Sequence, residues 1–313
     1  MTMRTIGVEV SGRDAREIAG QIQRLEELGV KAAWATSGGD ADPITLLAAA
    51  AMRTESILLG TSIVTTWPRH PITTAQQTNV LAHLAPGRFR LGIGPSHLSE
   101  MYEPYRFNFR KPLTNLREYL RIVKPLVQKG SVDFDGEQYH AHINASDAFP
   151  DLPVMASALR PRSFRLCGEE ADGAISWVCP LAYLRDSALP AMREGAEAAA
   201  RPTPPLIAHA VVSVHEEYEE VKAAALKDME YYPTAPFYQR MFALAGYPEA
   251  EETQGWSDRM LKEIVISGPE DKAARRLEKF FDAGAGEVLV SIVAAGPNKA
   301  ASWERTARLL ASL

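Results

Sequence analysis

The sequence predicts an α/β protein folded as a closed (β/α)8 TIM barrel, with a helical insertion between strands seven and eight. Three observations carry this. Short β-type runs alternate with longer segments of helical periodicity, which implies a parallel sheet. The alternation supplies eight strand–helix units across 313 residues, the number that closes a barrel. The first strand–helix turn, Val10-Ser11-Gly12-Arg13-Asp14, lacks the GxGxxG fingerprint that an open doubly wound sheet, the competing architecture, would place there. On this reading residues 1–313 form a single domain.

Each element has its own local justification. Thr5 to Val10 alternates at period two and makes the first strand. Asp14 to Leu28 follows, with Ile18, Ile22, Leu25 and Leu28 at helical spacing, and Gly29 stands where a left-handed C-cap is expected. Val30 to Thr36 is the second strand. Asp42 and Pro43 then open a helix through Arg53, Asp42 by accepting from free N–H groups and Pro43 by its preset φ. Ile57 to Thr65 is the third strand, Ile72 to Leu84 a helix, and Phe89 to Gly94 the fourth strand. A long helix, Leu113 to Gln128, leads into a small hairpin over Val132 to His142 that turns at Asp135-Gly136. Val154 to Ala158, Ala174 to Val178, Leu206 to Val214 and Glu287 to Val293 complete the eight strands, with helices starting near Pro161, Leu181, Glu216 and Lys299. Between about Tyr231 and Ile266 the rhythm breaks into a helical stretch with no strand, rich in Tyr231, Tyr232, Phe237, Tyr238, Phe242 and Tyr247. Inserted after strand seven, it leaves from the face where barrels carry their sites and can cover it. The alternative is a helical hairpin packed for stability or for a dimer.

Composition excludes several function classes. The net charge of -5 is well mixed, with no Lys/Arg block, which argues against nucleic acid as a partner. Two cysteines, Cys167 and Cys179, are too few for a disulfide scaffold or a Cys-rich metal site, and both read as small buried residues. The start MTMRTIGVEV has no apolar core of a signal peptide, and Ile44 to Met52 is too short to span a bilayer. A cytoplasmic protein without a membrane partner is expected.

In a barrel, chemistry sits at the C-terminal ends of the strands. These ends show no pair of acids for a glycosidase, no His/Asp/Glu cluster for a metal and no GxSxG elbow. They are small and rich in backbone, which fits a large cofactor that brings its own chemistry. The end of strand five, Ala156-Ser157-Ala158-Leu159-Arg160-Pro161-Arg162, puts small residues before a helix start. Free N–H groups there suit a phosphate, and Arg160 and Arg162 add charge. The other reading is an ordinary tight turn with surface arginines. Strand four ends in Leu91-Gly92-Ile93-Gly94-Pro95-Ser96-His97, where the glycines permit close approach and His97 is placed to exchange a proton, or else is merely structural. His70, between two prolines, shapes the loop after strand three, and His209 in strand seven points either inward or outward.

Three segments, LGTSIVTTWPRHPITTAQQ, LAPGRFRLGIGPSH and PVMASALRPRSFRLCGEEADGAISWV, together resemble the bacterial luciferase-like superfamily of flavin- and F420-dependent oxidoreductases, in order, spacing and barrel register. The resemblance runs over nearly the whole chain, and is nearest to the branch using the deazaflavin coenzyme F420. It implies a non-prolyl cis peptide at Ser62-Ile63, forming a bulge behind the deazaflavin ring. It further implies a ring contact from Thr65, backbone contacts from Gly94, Pro95 and Ser96, and a phosphate-binding turn at Ser157, Ala158 and Leu159. Two departures stand out. Ser37 and Gly38 occupy the positions of the Asp-His pair used by the family's sugar-phosphate and alcohol dehydrogenases, and His97 occupies the position of their glutamate after strand four. The resemblance implies an F420-dependent hydride transfer to or from a small organic substrate, preferably the reduction of an unsaturated or imine-type bond, by a homodimer. An FMN-dependent monooxygenase and a non-catalytic flavin-binding relative are the alternatives.

Overall fold

The computed structural model describes residues 4–37, 41–145 and 147–313. Its strands are β1 (Thr5–Val10), β2 (Ala32–Ala35), β3 (Leu58–Thr61), β4 (Val64–Thr65), β5 (Phe89–Gly94), β6 (Ser131–Asp135), β7 (His140–Asn144), β8 (Val154–Ser157), β9 (Ala174–Ile175), β10 (Leu206–Val214), β11 (Val265–Gly268) and β12 (Glu287–Ile292). Eight of them close a parallel barrel in the order β1-β2-β3-β5-β8-β9-β10-β12, with β12 pairing back to β1. The antiparallel β6–β7 hairpin stands outside it.

Two local signals act as the sequence predicts, and His70, expected only to shape its loop, adds a cap. Asp14 accepts from the N–H groups of Arg16 and Glu17 at the start of helix Ala15–Leu28, and Gly29 ends that helix at φ 94°. Asp42 accepts from the Thr45 N–H at 2.9 Å, with Pro43 in the first turn. His70 caps helix Pro71–Leu84 by accepting from the Ile72 N–H.

Two expectations are corrected. The third strand is not continuous from Ile57 to Thr65: pairing breaks at Ser62-Ile63 and resumes as β4 against β5. The stretch from Tyr231 to Ile266 does contain a strand, because its helices end at Ile264 and β11 begins at Val265. The nine-residue β10 outruns its neighbour β9. Its first residues pair with β9, and Val211–Val214, on the same edge, are left for β11.

The barrel interior is plugged from below the site. Trp34, fully buried, lies across it, and Gly7 and Gly60 in the flanking strands make the room. A Cβ on Gly7 would come 2.6 Å from the Trp34 ring nitrogen, and one on Gly60 would come 2.4 Å from Cε3. The indole N–H donates to Glu287 Oε1 at 2.7 Å, and Arg90 lies 4.2 Å over the ring while pairing with Glu287. Ala32, Met155, Ile175, Ile207 and Leu289 complete this inner cluster. Among the described residues no helix is long and apolar enough to cross a membrane.

Candidate active site at the barrel mouth

Alternation along a strand sends every second side chain inward. Two residues beyond Gly7, Trp34, Met155, Ile175, Ile207 and Leu289 come Glu9, Thr36, Ser157, Trp177, His209 and Ser291. The apolar plug is thus overlaid by a polar layer at the C-terminal ends of the strands. Accessibility returns at the same height: Glu9, Thr36, Ile63, Thr65, Pro95, Ser157, Trp177 and Ser291 are all partly exposed, while the strands beneath them are buried. This is an open mouth.

Most of the residues singled out in the sequence meet here. The Ser62-Ile63 peptide bond is cis. Thr65 pairs with Gly94, and a Cβ on Gly94 would lie 2.1 Å from Ser157 Oγ and 3.1 Å from Ile63 Cδ1, so the ends of β3, β5 and β8 converge on one small-residue cradle. The Ser62 hydroxyl is buried there without a hydrogen-bond partner. Ser96, at φ 57°, turns the chain after Pro95, and its hydroxyl donates to Glu100. Ser37 borders the mouth after β2, whereas Gly38 and Gly39 lie outside the described residues.

The turn after β8 differs from expectation. The Leu159 and Arg160 N–H groups both donate to Ser163 Oγ at 3.1 Å, and the Ala158 N–H donates to the Ile175 carbonyl. Ser163, three positions into the helix that Arg160 precedes, reaches back to the turn as a capping-box residue does. A phosphate at this turn must displace Ser163 or rely on the exposed Arg160 and Arg162 guanidinium groups.

His97 does not stand free on the rim. Its ring stacks on Phe237 at 4.5 Å and lies against Tyr231 and Tyr238, all from the stretch after β10. Burial lowers its pKa, opposed by the Glu100 charge, so it is neutral at pH 7. Tyr231 and Ser99 share a hydroxyl hydrogen bond at 3.1 Å, and Trp177 Nε1 donates to the Tyr232 hydroxyl at 2.7 Å. The aromatic insertion is therefore fastened to the barrel at two points and covers one side of the mouth.

The strand ends are not as poor in carboxylates as the sequence suggests. Glu9, second from last in β1, points into the mouth and accepts from Ser291 Oγ at 3.2 Å, with Thr36 Oγ1 at 3.5 Å. Burial raises its pKa against the opposing hydrogen bonds of Ser11, Ser291 and Thr36, and the Asp228 charge raises it further. His209 points inward, stacked 3.8 Å from Trp177, and burial lowers its pKa to about 3. A search confined to the last strand residue misses Glu9. The period-two series Thr5, Gly7, Glu9 is the signal that finds it. Cys167 and Cys179 are buried, and burial pushes both thiols up to about 12, which leaves them inert. Among the described residues no cluster of three or more His, Cys, Asp or Glu side chains could hold a metal.

Comparison with known proteins agrees with this fold. The sequence profile of the family described as luciferase-like monooxygenase matches residues 2–287. An F420-dependent glucose-6-phosphate dehydrogenase of Intrasporangium calvum is 28% identical over 88% of this chain and 88% of its own. The coenzyme F420-dependent tetrahydromethanopterin reductase of Methanopyrus kandleri shares the fold with a TM-score of 0.75, at 21% identity over 98% of this chain and 96% of its own. The oxygenating constituent of 3,6-diketocamphane monooxygenase from Pseudomonas putida, solved with FMN, also scores 0.75, at 19% identity over 98% and 96%.

Proposed function

The chain belongs to the luciferase-like monooxygenase family, and on that footing we propose that it is a coenzyme F420-dependent oxidoreductase that reduces a carbon–carbon or carbon–nitrogen double bond of a small organic substrate. One observation carries the direction: the polar layer of the mouth holds a carboxyl, Glu9, set between the Ser291 and Thr36 hydroxyls, and burial raises its proton affinity. A carboxyl whose burial favours its protonated form suits a reaction in which the substrate takes up hydride and proton together.

The residues present fit a large, mostly neutral ring system. Ile63 and Pro95 offer apolar surface, the Ser37, Thr65 and Ser157 hydroxyls offer partners for a polar ring edge, and the Gly94 cradle keeps the wall low. Arg160 and Arg162 stand where a phosphate and an anionic tail need counter-charge. When bound, the deazaflavin supplies the hydride. The chain's own part is to orient, to exclude water and to hold a proton. The aromatic insertion closes one side of the mouth against solvent through Trp177–Tyr232 and Ser99–Tyr231. Glu9 keeps the proton for the substrate atom next to the one reduced. His97, neutral and stacked beneath the insertion, shapes the wall of the substrate pocket.

With Ser37 in place of an acid and no histidine supplied by Gly38, the proton-accepting pair of the alcohol- and sugar-oxidising relatives is missing, which supports reduction over alcohol oxidation. The reading extends to a homodimer joined through barrel helices, since Met52, capping the end of one outer helix, and Val80, on the next, are exposed apolar side chains.

The experiment is a titration of the purified protein with F420 and, separately, with FMN, followed by quenching of flavin fluorescence. F420 should bind and FMN should not. Release of FMN from the purified protein, with no quenching of F420, would overturn the cofactor assignment.

A further inference from the structure

Behind Glu9 runs a chain of hydrogen bonds that starts at a group unable to change its role. The Val178 backbone N–H donates to His209 Nδ1 at 3.2 Å. An N–H can only donate, so Nδ1 must be the acceptor of the neutral imidazole and Nε2 must carry the ring hydrogen. His209 Nε2 lies 2.9 Å from Ser291 Oγ and therefore donates to it. With His209 as a donor, the Ser291 hydrogen needs another acceptor, and Glu9 Oε2 at 3.2 Å takes it. The stacked Trp177 indole fixes the imidazole plane, and His209 is buried and uncharged. Thr36, on the other carboxyl oxygen at 3.5 Å, has no such constraint and can donate or accept as its hydroxyl rotates.

We propose that His209 and Ser291 are positioning residues that make Glu9 Oε2 a permanent acceptor, so that the transferable proton resides on Oε1, beside Thr36. This rests on the reading of Glu9 as the proton donor. In the reductive step the O–H bond at Oε1 breaks as the substrate's bond to that proton forms, and the hydride comes from the reduced deazaflavin. Glu9 is left as a carboxylate already holding the Ser291 hydrogen bond, and it regains its proton from water at the mouth. The groups facing Glu9 are the Ser11, Thr36 and Ser291 hydroxyls, the Asp228 carboxylate, which raises its proton affinity, and Tyr232. Lys299 in turn faces Asp228 and partly offsets it.

The test is a pH titration of protein labelled with 13C at the glutamate side-chain carboxyls, without cofactor, with the Glu9 signal assigned by its loss in Glu9→Gln. Ser291→Ala removes the fixed donor and should raise the proton affinity of Glu9 by about threefold to tenfold. His209→Leu removes the donor that orients the Ser291 hydroxyl, lets that hydroxyl rotate, and should shift it in the same direction by less. Ser291→Thr keeps the donor and should restore the parent titration. An unchanged or lowered affinity in Ser291→Ala, or a Thr variant that behaves like the Ala variant, would overturn the proposal. If His209→Leu fails to fold, the two Ser291 variants carry the test. A protein that binds FMN, or no flavin, leaves this titration as it is, so failure of the cofactor reading is seen separately.

Discussion

Glutamine at position 9 keeps the shape of the carboxyl and its hydrogen bond from Ser291 while removing the proton proposed for the substrate. Glu9→Gln should therefore lower turnover about 10²- to 10⁴-fold, measured as oxidation of reduced F420 by an accepted substrate, with F420 affinity within about twofold of the parent. His97→Ala is expected to behave differently. It removes a stacking partner of Phe237 and should raise KM while leaving the pH dependence of kcat in place. A second residue-scale prediction concerns Gly60. A methyl group there meets the Trp34 ring at 2.4 Å, and neither the ring, held by Glu287 and Arg90, nor the strand can yield cheaply. Gly60→Ala should destabilise the fold by about 1–3 kcal/mol, read as a lowered urea midpoint with unchanged m-value. In the bare sequence Gly7 and Gly60 are only weak strand formers, because their reason for being glycine lies in a third strand.

At the scale of elements, the insertion after β10 is held to the mouth by few polar contacts, so each one counts. Tyr232→Phe deletes the acceptor of the half-buried Trp177 indole N–H and with it one of the two hydrogen bonds that fasten the insertion. Amide hydrogen exchange over residues 231–247 should quicken by about tenfold, while β1, β2 and β12 exchange as before. Uniform acceleration throughout the barrel would contradict a lid that opens on its own. The alternating pattern made six of the eight barrel strands readable to within a residue or two. It did not reveal the break at Ser62-Ile63, since the apolar run Ile63-Val64 looks like continuing strand. It also did not reveal β11, which owes its existence to the long free edge of β10 and not to its own four residues. The candidate site was legible where backbone smallness mattered, as at Gly94 and Ser157. It was not legible at Glu9, His209 and Ser291, whose meeting depends on barrel register.

For the whole molecule, acid sensitivity follows from carboxylates that the fold holds ionised. Glu26 is one of them. Burial raises its pKa, but the N–H groups of Ser56, Ile57 and Glu55 and the Ser56 hydroxyl outweigh this and bring it below the ordinary value of 4.5. A lowered folded-state pKa contributes stability that is present above the unfolded value and is lost as pH falls through the folded one. Glu26→Gln should accordingly lower the melting temperature at pH 7, and the gap between variant and parent should shrink as pH is taken below about 4.5. The buried pair of Arg90 and Glu287 works on the same scale, since it joins β5 to β12 across the barrel. Glu287→Gln strands the guanidinium and should cost about 3–5 kcal/mol, seen in chemical denaturation.

The plug formed by Trp34 has a kinetic consequence. A barrel stoppered at its floor has one doorway, and a cofactor and a substrate that share it must queue. Whichever enters first is trapped behind the second, and products must leave in the reverse order. Steady-state kinetics should therefore show an ordered sequential pattern, in which the deazaflavin competes only with its own oxidised or reduced form.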